Sequence, residues 1–415
     1  MKRLLEDITI LDMGWVIAGP TGTRLLADLG ATIIRVETRA RADVIRGGAK
    51  REGVTSLFDE GGWLFQDINR GKFDISLNMK SPHGREVFEK LLKKSDALLC
   101  NFSPRAFKKM GLDLESLRKV KPDIIVLNAS GMGDFGKYSD FATFAPILGG
   151  VTGYTSQVAY ENEHFCEPRD SLPDFVGGAG IAVSLMAALA YKERTGKGQF
   201  VDLAQAELFL SVMGATILDC AYNQEELPPY GNQYFGRTMV PHNCYQCAGN
   251  DSWCSVAVRD DEEWSALCSV IDPMGEWSEN YKYATIDGRI ENRAEIDARV
   301  AAWMQMHTNV EAAETLQMAG VSAGMVQSAK DLIEDPHIAE RKFLIPLDFP
   351  ASDRQPETLL VTGMLSGNRD RVPESVPCAP SVGQHNDYIL KTYLNLSDEE
   401  IQMLKEDGTI EMPKK

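Results

Sequence analysis

This chain is short of positive charge. It carries 43 Lys and Arg against 60 Asp and Glu in 415 residues, a formal net charge of −17. A surface of that sign excludes non-specific nucleic-acid binding, which needs a basic face. It still leaves room for a local cluster of cations that holds phosphate. No apolar run nears the roughly 20 residues that a membrane span requires, so no membrane partner is expected. The start, MKRLLEDITILDMG, has acids soon after its basic residues and no cleavage-site pattern. No signal peptide is therefore expected, and the cytoplasm is the expected location.

Several catalytic signatures are missing too. There is no Walker loop, no Gly-x-Ser-x-Gly and no His-Glu-x-x-His. GGAG at 177–180 and TGKG at 195–198 stand away from the first βα turn, which reads WVIAGPTG. That argues against a nicotinamide enzyme. Histidine is scarce, at 83, 164, 242, 307, 337 and 385. Of eight cysteines, Cys244 and Cys247 form Cys-x-x-Cys beside His242, with Cys254 beyond and no second such pair. PHNCYQCAGNDSWCSVAV alternates like a hairpin, so packed thiols are expected rather than a zinc site. No metal is expected.

What is present is alternation. DITILDMG, ATIIRVE, KFDISLNMK, DALLCNF and DIIVLNASG read as strands. Helical patterns lie between most of them, among them SPHGREVFEKLLKKS, with Ser81 as N-cap and Pro82 at N1. Such alternation predicts a doubly wound parallel sheet with its ligand crevice at the carboxyl ends of the strands. DFVGGAGIAVSLMAALAYKERTGKGQ predicts a long helix of small residues that packs closely. VDLAQAELFLSVMGATILDCAYNQ reads as a further helix. VAAWMQMHTNVEAAETLQMAGVSAGMV reads helix, turn, helix, strand, and the last 85 residues or so read as loop-rich with a final helix. The Gly/Pro-rich stretch at 225–241 reads as a loop or domain boundary, which gives a large domain over 1–224, a small α+β domain over 225–330 and a loop-rich segment over 331–415.

Asp174 follows Pro173 and precedes FVGGAG. Its ordinary reading is a helix N-cap. Its chemical reading is a carboxylate nucleophile that splits one hard step into easier ones. Glycines beside it would admit a thioester close to the backbone.

LDMGWVIAGPTGTRLLADLGATIIRVE, NRGKFDISLNMKSPHGREVFEKLL, LPDFVGGAGIAVSLMAALAYKERTGKGQFVDLAQAE and DPHIAERKFL together resemble the class III CoA-transferases, from about residue 5 to 390. The 242–268 segment is similar in texture to the benzylsuccinate-type branch. The resemblance implies a Rossmann-like large domain built from both chain ends, so that 331–415 returns to it, together with a smaller domain and an interlocked dimer. It implies coenzyme A and acyl-CoA as substrates, with no tightly bound cofactor, and a homodimer or a heteromer with a similar subunit. It implies Asp174 as nucleophile; the Asp-x-x-x-Gly segment before a small-residue helix makes the N–H groups around Gly177 and Gly178 candidate oxyanion donors. It also implies CoA contacts from Ile17, Ala18, Leu77, Asn78, Met79, Lys80, Asn101, Phe102, Ser103 and Lys109. Lys109 stands where the family often has Arg. Departures near Ile17 and at Phe141–Ala142 argue against formate and oxalate and for a larger acid, aromatic or dicarboxylic such as benzylsuccinate, with succinyl-CoA as donor. One alternative is an α-methylacyl-CoA racemase, which needs a His where YSDFATFAP has none; His164 is the substitute to weigh. Another is a non-catalytic subunit of a heteromeric transferase.

Overall fold

The structure is a computed structural model that describes residues 3–47, 62–160, 164–165, 171–226, 228–233, 238–348, 359–363 and 373–411. Cys166 and residues 234–237 of GNQYFGRTMVP lie outside the described residues. The chain forms two compact units. One comprises Met1–Thr155, Glu167–Glu225 and Ile338–Lys415; the other comprises Ser156–Cys166 and Glu226–His337.

The first unit opens with β1 (Thr9–Asp12), α1 (Ala18–Asp28) and β2 (Thr32–Glu37). Then come α2 (Trp63–Asn69), β3 (Phe73–Ser76), α3 (Pro82–Lys93) and β4 (Ala97–Cys100). α4 (Pro104–Lys109), α5 (Leu114–Val120) and β5 (Ile125–Asn128) follow. α6 (Ala145–Val151), α7 (Tyr154–Gln157) and α8 (Leu172–Thr195) lead to β6 (Phe200–Asp202), α9 (Gln205–Leu210) and α10 (Gly214–Asn223).

The second unit holds β7 (His242–Gln246), β8 (Trp253–Ala257), α11 (Asp261–Ile271), α12 (Ile286–Glu291), α13 (Arg293–Met304), α14 (Asn309–Met318), β9 (Ser322–Met325) and α15 (Ala329–Glu334). The chain re-enters the first unit through α16 (Pro336–Glu340). It ends with β10 (Leu344–Asp348), β11 (Leu359–Thr362), β12 (Val376–Pro377), α17 (Asn386–Thr392) and α18 (Asp398–Glu406).

The six strands β1–β6 form one parallel sheet in the order β3-β2-β1-β4-β5-β6. Its strands are buried on both faces, so they read as near-continuous apolar runs. Leu11, Ile34, Leu98 and Val126 face α3, α5, α17 and α18. Ile10, Ile33, Leu99, Ile125 and Leu127 face α1 and α8. Ser81 accepts from Gly84 N–H at the start of α3, with Pro82 at N1, as its sequence predicts.

Two expectations change. The first residues of VDLAQAELF form the edge strand β6, and only the remainder is helical. α8 is also long and apolar enough, by length and composition alone, to cross a membrane. Its Gly177, Gly178, Ile181, Ala182, Leu185 and Ala188 are buried, most of them in the core shared with α1, which accounts for much of that character.

In the second unit β7, β8 and β9 form an antiparallel sheet, with β7–β8 the expected hairpin. Cys247, Cys254 and Cys268 pack in its core with Trp264 and Trp277. Burial pushes the Cys254 thiol up to about 11. Among the described residues no cluster of His, Cys, Asp and Glu has the makings of a metal site.

The first unit buries a charged network at the ends of β1, β2 and β3. Lys72 Nζ donates to Asp12 Oδ2 at 2.9 Å, to Pro20 O and to Asn69 Oδ1. Arg35 lies 2.8 Å from Asp43 and 3.5 Å from Glu37, while Arg46 also pairs with Glu37. Burial brings Lys72 down to about 8, against the pull of Asp12. Burial likewise raises Asp74, and its neighbour Glu37 raises it further. Burial opposes the charge on Glu37 as well, but Arg35 and hydrogen bonding from Asp74 hold it at about 2. Asp74 Oδ2 meets no donor. A proton on Asp74 resolves this, because it makes Asp74 the donor to Glu37.

Lys72→Ala leaves Asp12 buried without its closest counter-ion, so urea unfolding should show a loss of about 3–5 kcal/mol. Asp74→Asn removes a carboxyl that burial keeps protonated to higher pH in the folded chain than in the unfolded one. The wild type loses that stability as pH rises from about 4, so the variant should gain on it over that rise in urea unfolding, with no gain below pH ~4.

Candidate active site

The strand order reverses between β1 and β4, the place where doubly wound sheets bind ligands at their carboxyl ends. Two asparagines stitch the loops there. Asn101, just past β4, accepts from Trp15 N–H and donates to Trp15 O, each at 2.8 Å. Asn128, the last residue of β5, accepts from Phe102 N–H at 3.2 Å and donates to Phe102 O at 3.1 Å. Trp15 and Phe102 meet edge to face, and the Arg41 guanidinium lies 4.8 Å from the Trp15 ring centre.

α8 brings its N-terminus to the same place through small residues. A Cβ on Gly178 would lie 2.7 Å from Thr21 and 3.2 Å from Ala18 O. One on Gly177 would lie 3.4 Å from Ala18 Cβ and 3.0 Å from Gln205 Oε1. One on Gly22 would lie 2.5 Å from Ile181. Glycine at these positions lets α1 and α8 approach more closely than any side chain allows.

Asp174 is the third residue of α8 and only 8% exposed. It does not cap the helix: Ser171 holds the N-cap position, and no side chain bonds there. Asp174 N–H itself donates to Ser171 O at 2.9 Å. Burial pushes its carboxyl from the usual 3.8 to about 6. Among the described residues no cation pairs with it, which keeps it nucleophilic once it ionises.

The expected residues separate into groups. Ala18 lies against the turn of α8 that follows Asp174, and Ile17, buried, holds the N-cap position of α1. Gly177 and Gly178 have a different job from the expected one. They lie in the helix interior, where N–H groups bond carbonyls four residues back, so their role is close packing and not oxyanion binding. Leu77, Asn78, Met79 and Lys80 follow β3, two strands from β1. Leu77 is buried, with its N–H on Glu37 O. Asn78 Oδ1 accepts from Lys80 N–H. Met79 packs against the core, and Lys80 is exposed. Ser103 accepts from Ala106 N–H and so caps α4, whose last residue is the exposed Lys109.

Sequence reasoning missed Gln205, Asp43 and Asn128. Gln205 is buried; it donates to Ala129 O, and its Oε1 has no partner. No motif marks these residues, because their roles come from strands far apart in the chain. The racemase alternative finds little support in the first unit. Its two histidines are tied elsewhere, His83 to Asp407 and His385 to Asp74 N–H. His164 belongs to the other unit and is exposed.

Comparison with known proteins gives one consistent result. The family model described as CoA-transferase family III matches residues 5–386. A Mycobacterium tuberculosis protein named "Probable CoA-transferase" is 30% identical over 83% of this chain, which spans 43% of that protein's length. The succinyl-CoA:mesaconate CoA-transferase of Haloarcula marismortui is 31% identical, with 93% of this chain and 95% of that protein covered. The crystal structure of a CaiB/BaiF family protein from Brucella suis superposes with a TM-score of 0.80 at 22% identity, covering 95% of this chain and all of that one.

Asp174→Asn removes a charge that burial opposes. A pKa raised from 3.8 to about 6 stabilises the native state only below about 4, and that stability is lost as pH rises through about 6. At pH 8 the variant should therefore gain about 1–3 kcal/mol in chemical denaturation, with the gain gone below pH ~4.

Proposed function

The chain belongs to CoA-transferase family III, and from that premise we propose that it moves coenzyme A from succinyl-CoA to a second carboxylic acid with Asp174 as covalent nucleophile. The observation that carries the reading is a buried carboxylate whose pKa burial raises to about 6, one turn before the α8 glycines that pack on Ala18 of α1 near the switch point of the sheet. CoA and acyl-CoA are its substrates. The mesaconate enzyme, alike over nearly its whole length, supports a succinyl donor and a dicarboxylic acceptor of the mesaconate type.

Asp174 attacks the donor thioester carbonyl. The C–S bond breaks, CoA thiolate leaves, and an aspartyl–acyl anhydride remains. The thiolate then attacks the aspartyl carbonyl, which releases the donor acid and leaves an aspartyl-CoA thioester. The acceptor carboxylate attacks that thioester carbonyl and expels the thiolate again. Thiolate attack on the acceptor's acyl carbon releases the new acyl-CoA and restores the carboxylate. A carboxylate is a weak nucleophile, so placement supplies much of the acceleration. The first turn of α1 has no side-chain cap. Its Ala18 and Gly19 N–H groups are the candidates for stabilising the oxyanion.

A second copy of the chain, or a similar subunit, completes the assembly in this reading. What supports it is apolar surface on the first unit: Val183 of α8 is 61% exposed, Leu218 of α10 70% and Tyr222 85%. Faces of this kind on a soluble protein mark interaction sites.

Purified enzyme incubated with succinyl-CoA and then hydroxylamine should be modified at Asp174 alone, as read by peptide mass spectrometry. Asp174→Ala should lose transfer by about 10³-fold or more; near wild-type transfer sinks the reading. Because the attacking form is the carboxylate, kcat/KM should rise with pH through about 6 and then level off.

A further inference from the structure

Val16 has φ 62°. A β-branched residue in the left-handed region is strained, since its side chain crowds its own carbonyl. Such strain persists only where the surroundings over-determine it. Here they do. Val16 N–H donates to Asp43 Oδ2 at 3.0 Å. That oxygen also accepts from Arg35 Nη2 at 2.8 Å, and the other arm of Arg35 donates to Gly14 O at 3.0 Å. Gly14 N–H donates to Asp12 Oδ1 at 2.7 Å. From the other side of the switch point, Asn101 takes both peptide groups of Trp15. Side chains from β1, the segment after β2 and the loop after β4 therefore hold every peptide N–H from Gly14 to Val16, and Arg35 of β2 holds Gly14 O. The next residues, Ile17 and Ala18, enter α1, and Ala18 touches the α8 turn that follows Asp174.

We propose that Asp43 and Asn101 are positioning residues for the transfer reaction: they clamp Val16 in its strained form, and this fixes the first turn of α1 against the helix that carries Asp174. The proposal rests on the reading of Asp174 as the site of transfer. Neither residue touches the reacting atoms. Each acts through the backbone of the turn. The Asn101 side chain is thus assigned to the turn.

The test uses the fact that glycine adopts φ 62° without strain. Asn101→Ala breaks both bonds to Trp15 and touches no buried charge. In the full-length enzyme it should lower kcat by about 10²-fold while KM for succinyl-CoA changes by less than about threefold, as expected for a misplaced reacting geometry. Asp43→Ala should do the same. Adding Val16→Gly to either variant should recover about tenfold in kcat, because the turn then needs no clamp. A purely structural role predicts no such rescue. Asn101→Ala with wild-type kcat overturns the proposal, and so does a loss in Asn101→Ala that Val16→Gly fails to restore. Asp43→Ala takes from buried Arg35 its nearest carboxylate; should it not fold, the Asn101 pair decides alone. Retained transfer in Asp174→Ala overturns the reading of the site, a result independent of the rescue.

Discussion

A buried carboxylate must find cations, and Asp12 at the end of β1 is wholly buried. Lys72, from the start of the β3 segment, and Arg35, in β2, hold it ionised against burial. That requirement organises the sheet's carboxyl end. Lys72 is drawn inward and then also binds Pro20 O in the first turn of α1. Arg35 is drawn towards Gly14 O and Asp43. Thr23 of α1 adds a hydrogen bond to Asp12 at 2.6 Å. One charge thereby sets the register of a strand end, a turn and a helix together. Removing one member of such a network strands the others in a medium where unpaired charge is costly.

The second constraint is the close approach of α1 and α8. Gly22, Gly177 and Gly178 remove the side chains that would hold the helices apart. The same approach buries the first turn of α8, and with it Asp174. Burial raises that carboxyl to about 6, so it is still ionised at neutral pH. Packing and chemistry meet here: small residues bring the helices together, and burial at the start of α8 prepares the nucleophile.

Much of the fold was legible in local patterns. The five longer strands of the parallel sheet, the Ser81–Pro82 start of α3, the hairpin at β7–β8 and the long α8 all follow from periodicity and capping residues. β6 did not show itself, because a three-residue edge strand is defined by pairing with Val126, Leu127 and Asn128 and not by its own composition. At the site, Asp174 was visible as a carboxylate before a small-residue helix, and the family resemblance chose between its two readings. The roles expected for Gly177 and Gly178 changed, since only the helix boundaries reveal that their N–H groups are already engaged. Gln205 and Asp43 carried no signal at all.

The amino-acid sequence by itself determined the alternation of strands and helices, the apolar faces that make a buried parallel sheet, and the acidic residue available for chemistry. Those properties depend on neighbours within a few positions. Only the tertiary structure decided that Val16 sits left-handed, that Trp15 closes on Asn101 from 86 positions away, and that Asp174 is buried and not a helix cap. Each of these depends on groups brought together from different strands and helices, and no local pattern specifies such partners.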